Sequence, residues 1–86
     1  MKAEFFYTPG SAKCARAREP LKATAQQLVP GLDWRELNVS EHLDYAIELG
    51  VLSLPAMAID GKLAFTSLPT TLELRTALVQ RQSPEV

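Results

Sequence analysis

The chain is poor in the residues that build covalent and metal-held scaffolds: 86 residues contain one cysteine and one histidine. A lone cysteine closes no disulfide within the chain. One cysteine with one histidine falls short of the ligand set of a structural zinc site. Charge imbalance is also missing. A formal net charge of −1 leaves no basic excess for nucleic acid and no polybasic run for an anionic membrane surface. No apolar run approaches the roughly 20 residues that a membrane-spanning helix needs. Met1-Lys2 leads directly into an apolar strand, and no secretory leader is expected. The expectation is a cytoplasmic protein, kept in a compartment where thiols stay reduced. Nothing in the sequence asks for an oligomer, and a monomer is expected.

What is present is an ordinary globular composition, 47% hydrophobic and 22% charged. A chain of this length builds one domain and not two. Repeats and low-complexity stretches are absent. Residues 1–82 read as the domain and residues 83–86 as a frayed tail.

Hydrophobic patterning and punctuation divide the chain into seven segments. Residues 2–8 read as a strand, apolar on both faces at Phe5, Phe6 and Tyr7 and therefore central in a sheet. Thr8-Pro9-Gly10 marks a turn, and Ser11 is a good N-cap for a helix over residues 12–28. Cys14, Ala17, Leu21, Ala25 and Leu28 line one face of that helix. Pro20 falls inside it and is expected to bend it. After the Val29-Pro30-Gly31 stop, residues 32–39 read as a second strand, with Arg35 and Glu36 suggesting a partly solvated edge. Trp34 reads as core or edge packing. A second helix is expected with Ser40 as N-cap, Glu41 in its first turn, Leu43, Ala46 and Ile47 as its apolar stripe, and Gly50 as its stop. His42 reads as a surface residue of that helix. Pro55 heads a third strand that ends at Ile59. Asp60-Gly61 is a two-residue hairpin signal leading into a strand over residues 62–65. Thr70 with Glu73 three positions on forms a capping box for a last helix, whose inner face is Leu74, Ala77 and Leu78. The order is β-α-β-α-β-β-α.

The chemistry concentrates in the stretch from Phe5 to Ala17. A strand runs into a tight turn, and the turn into a helix whose first turn carries Cys14. The unpaired N–H groups and positive dipole end of a helix favour a thiolate, and Lys13, Arg16 and Arg18 add positive charge nearby. This stretch resembles the active-site segment of the thioredoxin and glutaredoxin superfamily, in which a Cys-x-x-Cys motif opens a helix. The best correspondence puts Cys14 on the second, resolving cysteine and Ser11 on the first, nucleophilic one. The motif is Ser-x-x-Cys, one replacement (natural or engineered) away from Cys-x-x-Cys. Leu54-Pro55, followed by Ile59-Asp60-Gly61-Lys62, is similar to the superfamily's cis-proline loop and hairpin, and the resemblance covers nearly the whole chain.

The resemblance implies an α/β thioredoxin-like fold, a four-stranded mixed sheet flanked by three helices. It implies Cys14 and Ser11 as the catalytic positions, and Pro9, Lys13, Leu54 and Pro55 as the substrate-binding ones. Leu54-Pro55 would be cis, beside Ser11 and Cys14. Partners would be thiol- or disulfide-containing proteins or a small thiol. No metal or cofactor is implied. Glutathione is the one candidate ligand, yet the Gly-Gly-x-Asp segment with which glutaredoxins follow the hairpin is replaced here by Phe65-Thr66-Ser67-Leu68-Pro69.

Each residue also has a plainer reading. Cys14 is either a reactive thiol or a buried small apolar residue. Ser11 reads first as an N-cap, because serine without a histidine or lysine beside it is a weak nucleophile. Lys13, Arg16 and Arg18 form either an anion site or a solvated helix face. Two functions follow: a thiol–disulfide oxidoreductase relative with weak or no dithiol activity, or a non-enzymatic module that binds an extended peptide or thiol partner at the Pro55 groove. Shielding under the loop favours the second, with Cys14 a slowly alkylated thiol.

Overall fold

The aromatic run near the start of the chain sits at the centre of the sheet. The computed structural model describes residues 1–82. Strand β1 (Lys2–Tyr7) pairs in parallel with β2 (Asp33–Asn38) and antiparallel with β3 (Ala56–Ile59), which in turn pairs antiparallel with β4 (Lys62–Phe65). The order β2-β1-β3-β4 leaves β2 and β4 as edges, in keeping with Arg35 and Glu36 on β2. Helix α1 (Ala12–Leu28) crosses between β1 and β2, α2 (Leu43–Leu49) between β2 and β3, and α3 (Thr71–Gln82) follows β4. This is the four-stranded mixed sheet with three helices that the sequence implies. The tail expected over residues 83–86 lies outside the described residues.

Side chains alternate across the sheet. Ala3, Phe5, Met57 and Ile59 face Leu21 and Ala25 of α1 and Leu74 and Leu78 of α3. Phe6, Ala56 and Ala58 face Ala46 of α2. Phe5, Phe6, Met57, Ile59, Leu74 and Leu78 are fully buried, and each contributes on the order of 2 kcal/mol of transfer free energy. Trp34 stacks on Phe5, with ring centroids 6.0 Å apart.

The local signals are realised where they depend on neighbours in sequence. Thr70 Oγ1 accepts from the Glu73 amide at 3.0 Å, and Glu73 Oε1 accepts from the Thr70 amide at 2.9 Å. Asp60 and Gly61 both adopt positive φ, 51° and 81°, the pair of values a tight primed hairpin turn requires. Helix α1 runs through Pro20 as one element.

The second helix departs from expectation. Ser40 is not its N-cap. The Asn38 side chain takes the Ser40 amide at 2.9 Å, and the Glu41 and His42 amides bond back to Asn38 and Val39. These turn bonds compete with helix formation, so α2 opens only at Leu43, with His42 as a cap that makes no side-chain bond. The apolar stripe is also different. Tyr45, Ala46 and Leu49 face the sheet, while Leu43 and Ile47 point out, 55% and 65% exposed. Tyr45 sets this rotation. Its hydroxyl donates to Glu4 Oε1 at 2.7 Å, and its ring lies 5.8 Å from that of Phe6. Glu4 is only 3% exposed, so its carboxylate needs this donor; the Lys2 ammonium lies 3.9 Å away.

Candidate functional site

The turn after β1 aims the chain into α1. The Ser11 amide donates to the Thr8 carbonyl at 3.3 Å, and Gly10 sits at φ 81°, where a side chain would be strained. Ser11 is extended, with φ −79° and ψ 118°, and its Oγ accepts from the Cys14 amide at 3.3 Å. That is N-cap geometry, with Cys14 at the third helical position. The thiol therefore belongs to the first turn of α1, and the residue is 3% exposed.

A pocket of about 290 Å³ opens at this end of the sheet, lined by Tyr7, Pro9, Ser11, Cys14, Arg18 and Glu36 among others. Three of the residues singled out in the sequence, Pro9, Ser11 and Cys14, meet here. Lys13, Leu54 and Pro55 are not among the residues that line it. Lys13 borders a separate depression with Arg16, Ala17 and Leu68. Leu54 packs with the α2-side cluster around Phe6 and Ala46. Pro55 is buried, and the Leu54–Pro55 peptide is cis. The β1–β3 register pairs Phe6 with Ala56, so Pro55 continues the strand opposite Tyr7, at the end of β1 from which the loop to α1 departs.

The two charged residues of the pocket, Arg18 and Glu36, were not among the six. Arg18 lies one helical turn after Cys14, on the same face, and its charge was noted in the sequence. Glu36 is brought in by register: it pairs with Phe5 across the parallel ladder and shares that residue's α1-facing side. Glu36 Oε2 accepts from Trp34 Nε1 at 2.9 Å, and Oε1 lies 3.4 Å from Arg18 Nη1. Arg18 Nη1 also lies 3.4 Å from Glu19. The sequence carried only a weak signal for Glu36, which read together with Arg35 as part of a partly solvated edge. Tyr45 lies on the opposite face of the sheet. Its bond to the Glu4 carboxylate and its partial burial push its hydroxyl up to about 12.

Among the described residues, no three His, Cys, Asp or Glu side chains gather as metal ligands, and no helix is long and apolar enough to cross a membrane. His42 is exposed at the start of α2 and is not among the residues that line the Ser11 pocket. Ser11 Oγ bonds the Cys14 amide and, among the described residues, no histidine or lysine, so nothing activates it for attack.

No family model matches the chain. Among curated proteins it is similar to the thioredoxin of Methanocaldococcus jannaschii, 27% identical over 81 residues that cover 94% of this chain and 95% of the relative. It is also similar to a probable thioredoxin of Methanothermobacter thermautotrophicus, 28% identical over 75 residues, covering 87% and 88%. Among solved structures, a mutant thioredoxin from Halobacterium salinarum superposes with a TM-score of 0.73 at 19% identity, over 99% of this chain and 76% of the other. Human ERp44 in its zinc-bound form gives 0.66 at 12% identity, over 95% of this chain and 27% of that one. Fold and element order are thioredoxin-like, and the chain is similar to thioredoxins over nearly its whole length.

Proposed function

We propose that this protein belongs to the thiol–disulfide oxidoreductase lineage but does not run the two-cysteine cycle, and so has weak or no dithiol reductase activity. The observation that carries this is the N-cap geometry of Ser11, with Cys14 buried three residues behind it. Dithiol reduction needs a thiolate to attack the substrate and a second thiol to resolve the mixed disulfide. A serine hydroxyl at the first position supplies neither a thiolate nor a leaving sulfur. Cys14 alone can enter one mixed disulfide and then needs an external thiol to release it. Partners of this chemistry are thiol- or disulfide-containing proteins or a small thiol, and the curated relatives carry the name thioredoxin.

The test is a pair of insulin-reduction assays in the presence of a reducing enzyme. The protein as it stands is expected to be inactive above background, and Ser11→Cys to gain activity. Turnover by the unaltered protein comparable with a dithiol thioredoxin would overturn the reading.

A second reading, a module that binds an extended peptide at the Leu54–Pro55 loop, is favoured by one observation: a thiol only 3% exposed is better placed for packing than for attack on a protein disulfide. Retention of an unfolded, cysteine-free peptide by the Cys14→Ala protein would favour it. Loss of all peptide retention in that variant would count against it.

A further inference from the structure

The charged residues of the Cys14 pocket have no part in the function above. Arg18 and Glu36 line the same space of about 290 Å³ as the thiol. That volume lies at the lower end of small-molecule clefts, about 300 to 1,000 Å³. Cys14 is 3% exposed and lines this pocket, so a reagent small enough to enter comes up against this residue, whereas a disulfide held on a folded protein surface is too bulky to follow. The pocket thus selects for size.

It also selects for charge. The Arg18 side chain is 43% exposed and engages Glu36 and Glu19 through one nitrogen, Nη1. A guanidinium has five N–H donors in a planar fork that suits a carboxylate. The Glu36 side chain is 26% exposed, anchored through Oε2 to the Trp34 indole, and its oxygens keep lone pairs for an ammonium donor. The Tyr7 hydroxyl has no hydrogen-bond partner among the described residues, and with Ser11 it adds neutral hydroxyls to the lining. A cation, an anion and a thiol on one small concavity match a ligand that carries a carboxylate, an ammonium and sulfur within a few bonds.

We propose that this pocket receives a small zwitterionic disulfide of the chemical class of cystine, its carboxylate at Arg18, its ammonium at Glu36 and a sulfur at Cys14. This rests on the reading that Cys14 retains thiol–disulfide chemistry, and it adds the substrate class. In the step, the Cys14 sulfur attacks one sulfur of the ligand. The Cys14–S–S–R bond forms as the R–S–S–R bond breaks, and the departing R–S⁻ takes up the proton that Cys14 gives up. Cys14 is oxidised and half of the ligand is reduced, so no other oxidant is needed. A free thiol reverses the step.

The experiment measures mixed-disulfide formation on the reduced, folded protein by intact mass, with four reagents in parallel. These are cystine, cystamine (ammonium groups only), dithiodipropionate (carboxylates only) and the neutral bis(hydroxyethyl) disulfide. Cystine is expected to react about fivefold faster than the neutral reagent, as two partly exposed charge contacts allow. Arg18→Gln is expected to bring cystine down to the cystamine rate, and Glu36→Gln to bring it to the dithiodipropionate rate, both in protein shown by circular dichroism to be folded. Equal rates for all four reagents would overturn the proposal, as would modification that appears only in denaturant. If Ser11→Cys gains insulin reductase activity while cystine shows no preference, the pocket assignment fails alone and the proposed function stands.

Discussion

Removing one hydroxyl from α2 should destabilise the whole domain. In Tyr45→Phe the ring keeps its place 5.8 Å from Phe6, so packing is nearly unchanged and the loss is the 2.7 Å bond to Glu4. Glu4 is 3% exposed and cannot exchange that donor freely for water. A hydrogen bond to a charged group contributes about 1.5–3 kcal/mol, and an acceptor left buried without its donor adds its desolvation cost. We expect a loss of about 2 kcal/mol. For a domain of this size each kcal/mol lowers Tm by about 4–8 °C, so thermal unfolding followed by circular dichroism should move down by roughly 8–16 °C. Glu4→Gln removes the charge but keeps an acceptor, and the cost of Tyr45→Phe in that background should be smaller. The pair also predicts an alkaline signature. The bond to Glu4, with partial burial, raises the Tyr45 hydroxyl from its ordinary value near 10 to about 12. The folded state therefore holds this proton more tightly than the unfolded chain. Its contribution is fully present below pH 10 and is lost as the pH climbs from 10 to 12. Tyr45→Phe should abolish that part of the alkaline fall in stability. A change in Tm under about 2 °C, with the same pH profile as the parent, would refute the reasoning and mean that water serves Glu4 as well as tyrosine does.

Three further outcomes are expected. Native protein at pH 7 should be alkylated by iodoacetamide more slowly than free cysteine, and the difference should vanish in denaturant, because Cys14 is 3% exposed; equal native and denatured rates, read by mass spectrometry, would contradict it. Ser11→Ala should cost about 1 kcal/mol in urea unfolding through loss of the N-cap of α1, and Thr70→Ala a similar amount through loss of the reciprocal bonds with Glu73. Gly61→Ala should destabilise by about 1 kcal/mol, since φ 81° strains any side chain there although the space is open; an unchanged urea midpoint would show that the hairpin turn relaxes.

The sequence by itself determined what depends on near neighbours. Ser11, Thr70 with Glu73, and Asp60-Gly61 carry their own bonding partners or backbone preferences within three residues, so the start of α1, the start of α3 and the hairpin were legible. The aromatic run of β1 was central for the same kind of reason: apolar residues on consecutive positions must be covered on both faces. The start of α2 was local as well, set by the Asn38 side chain two residues before Ser40, but two local signals competed there and the capping one lost. Tertiary structure decided the rest: which face of α2 turned inward depended on Glu4, 41 residues away from Tyr45 in sequence. The candidate site divides in the same way. Ser11 and Cys14 share one helix turn and could be paired by spacing. Glu36 reached their pocket only through the parallel register that sets it beside Phe5, a pairing fixed by the packing of α1 between two strands and written in no single segment of the chain.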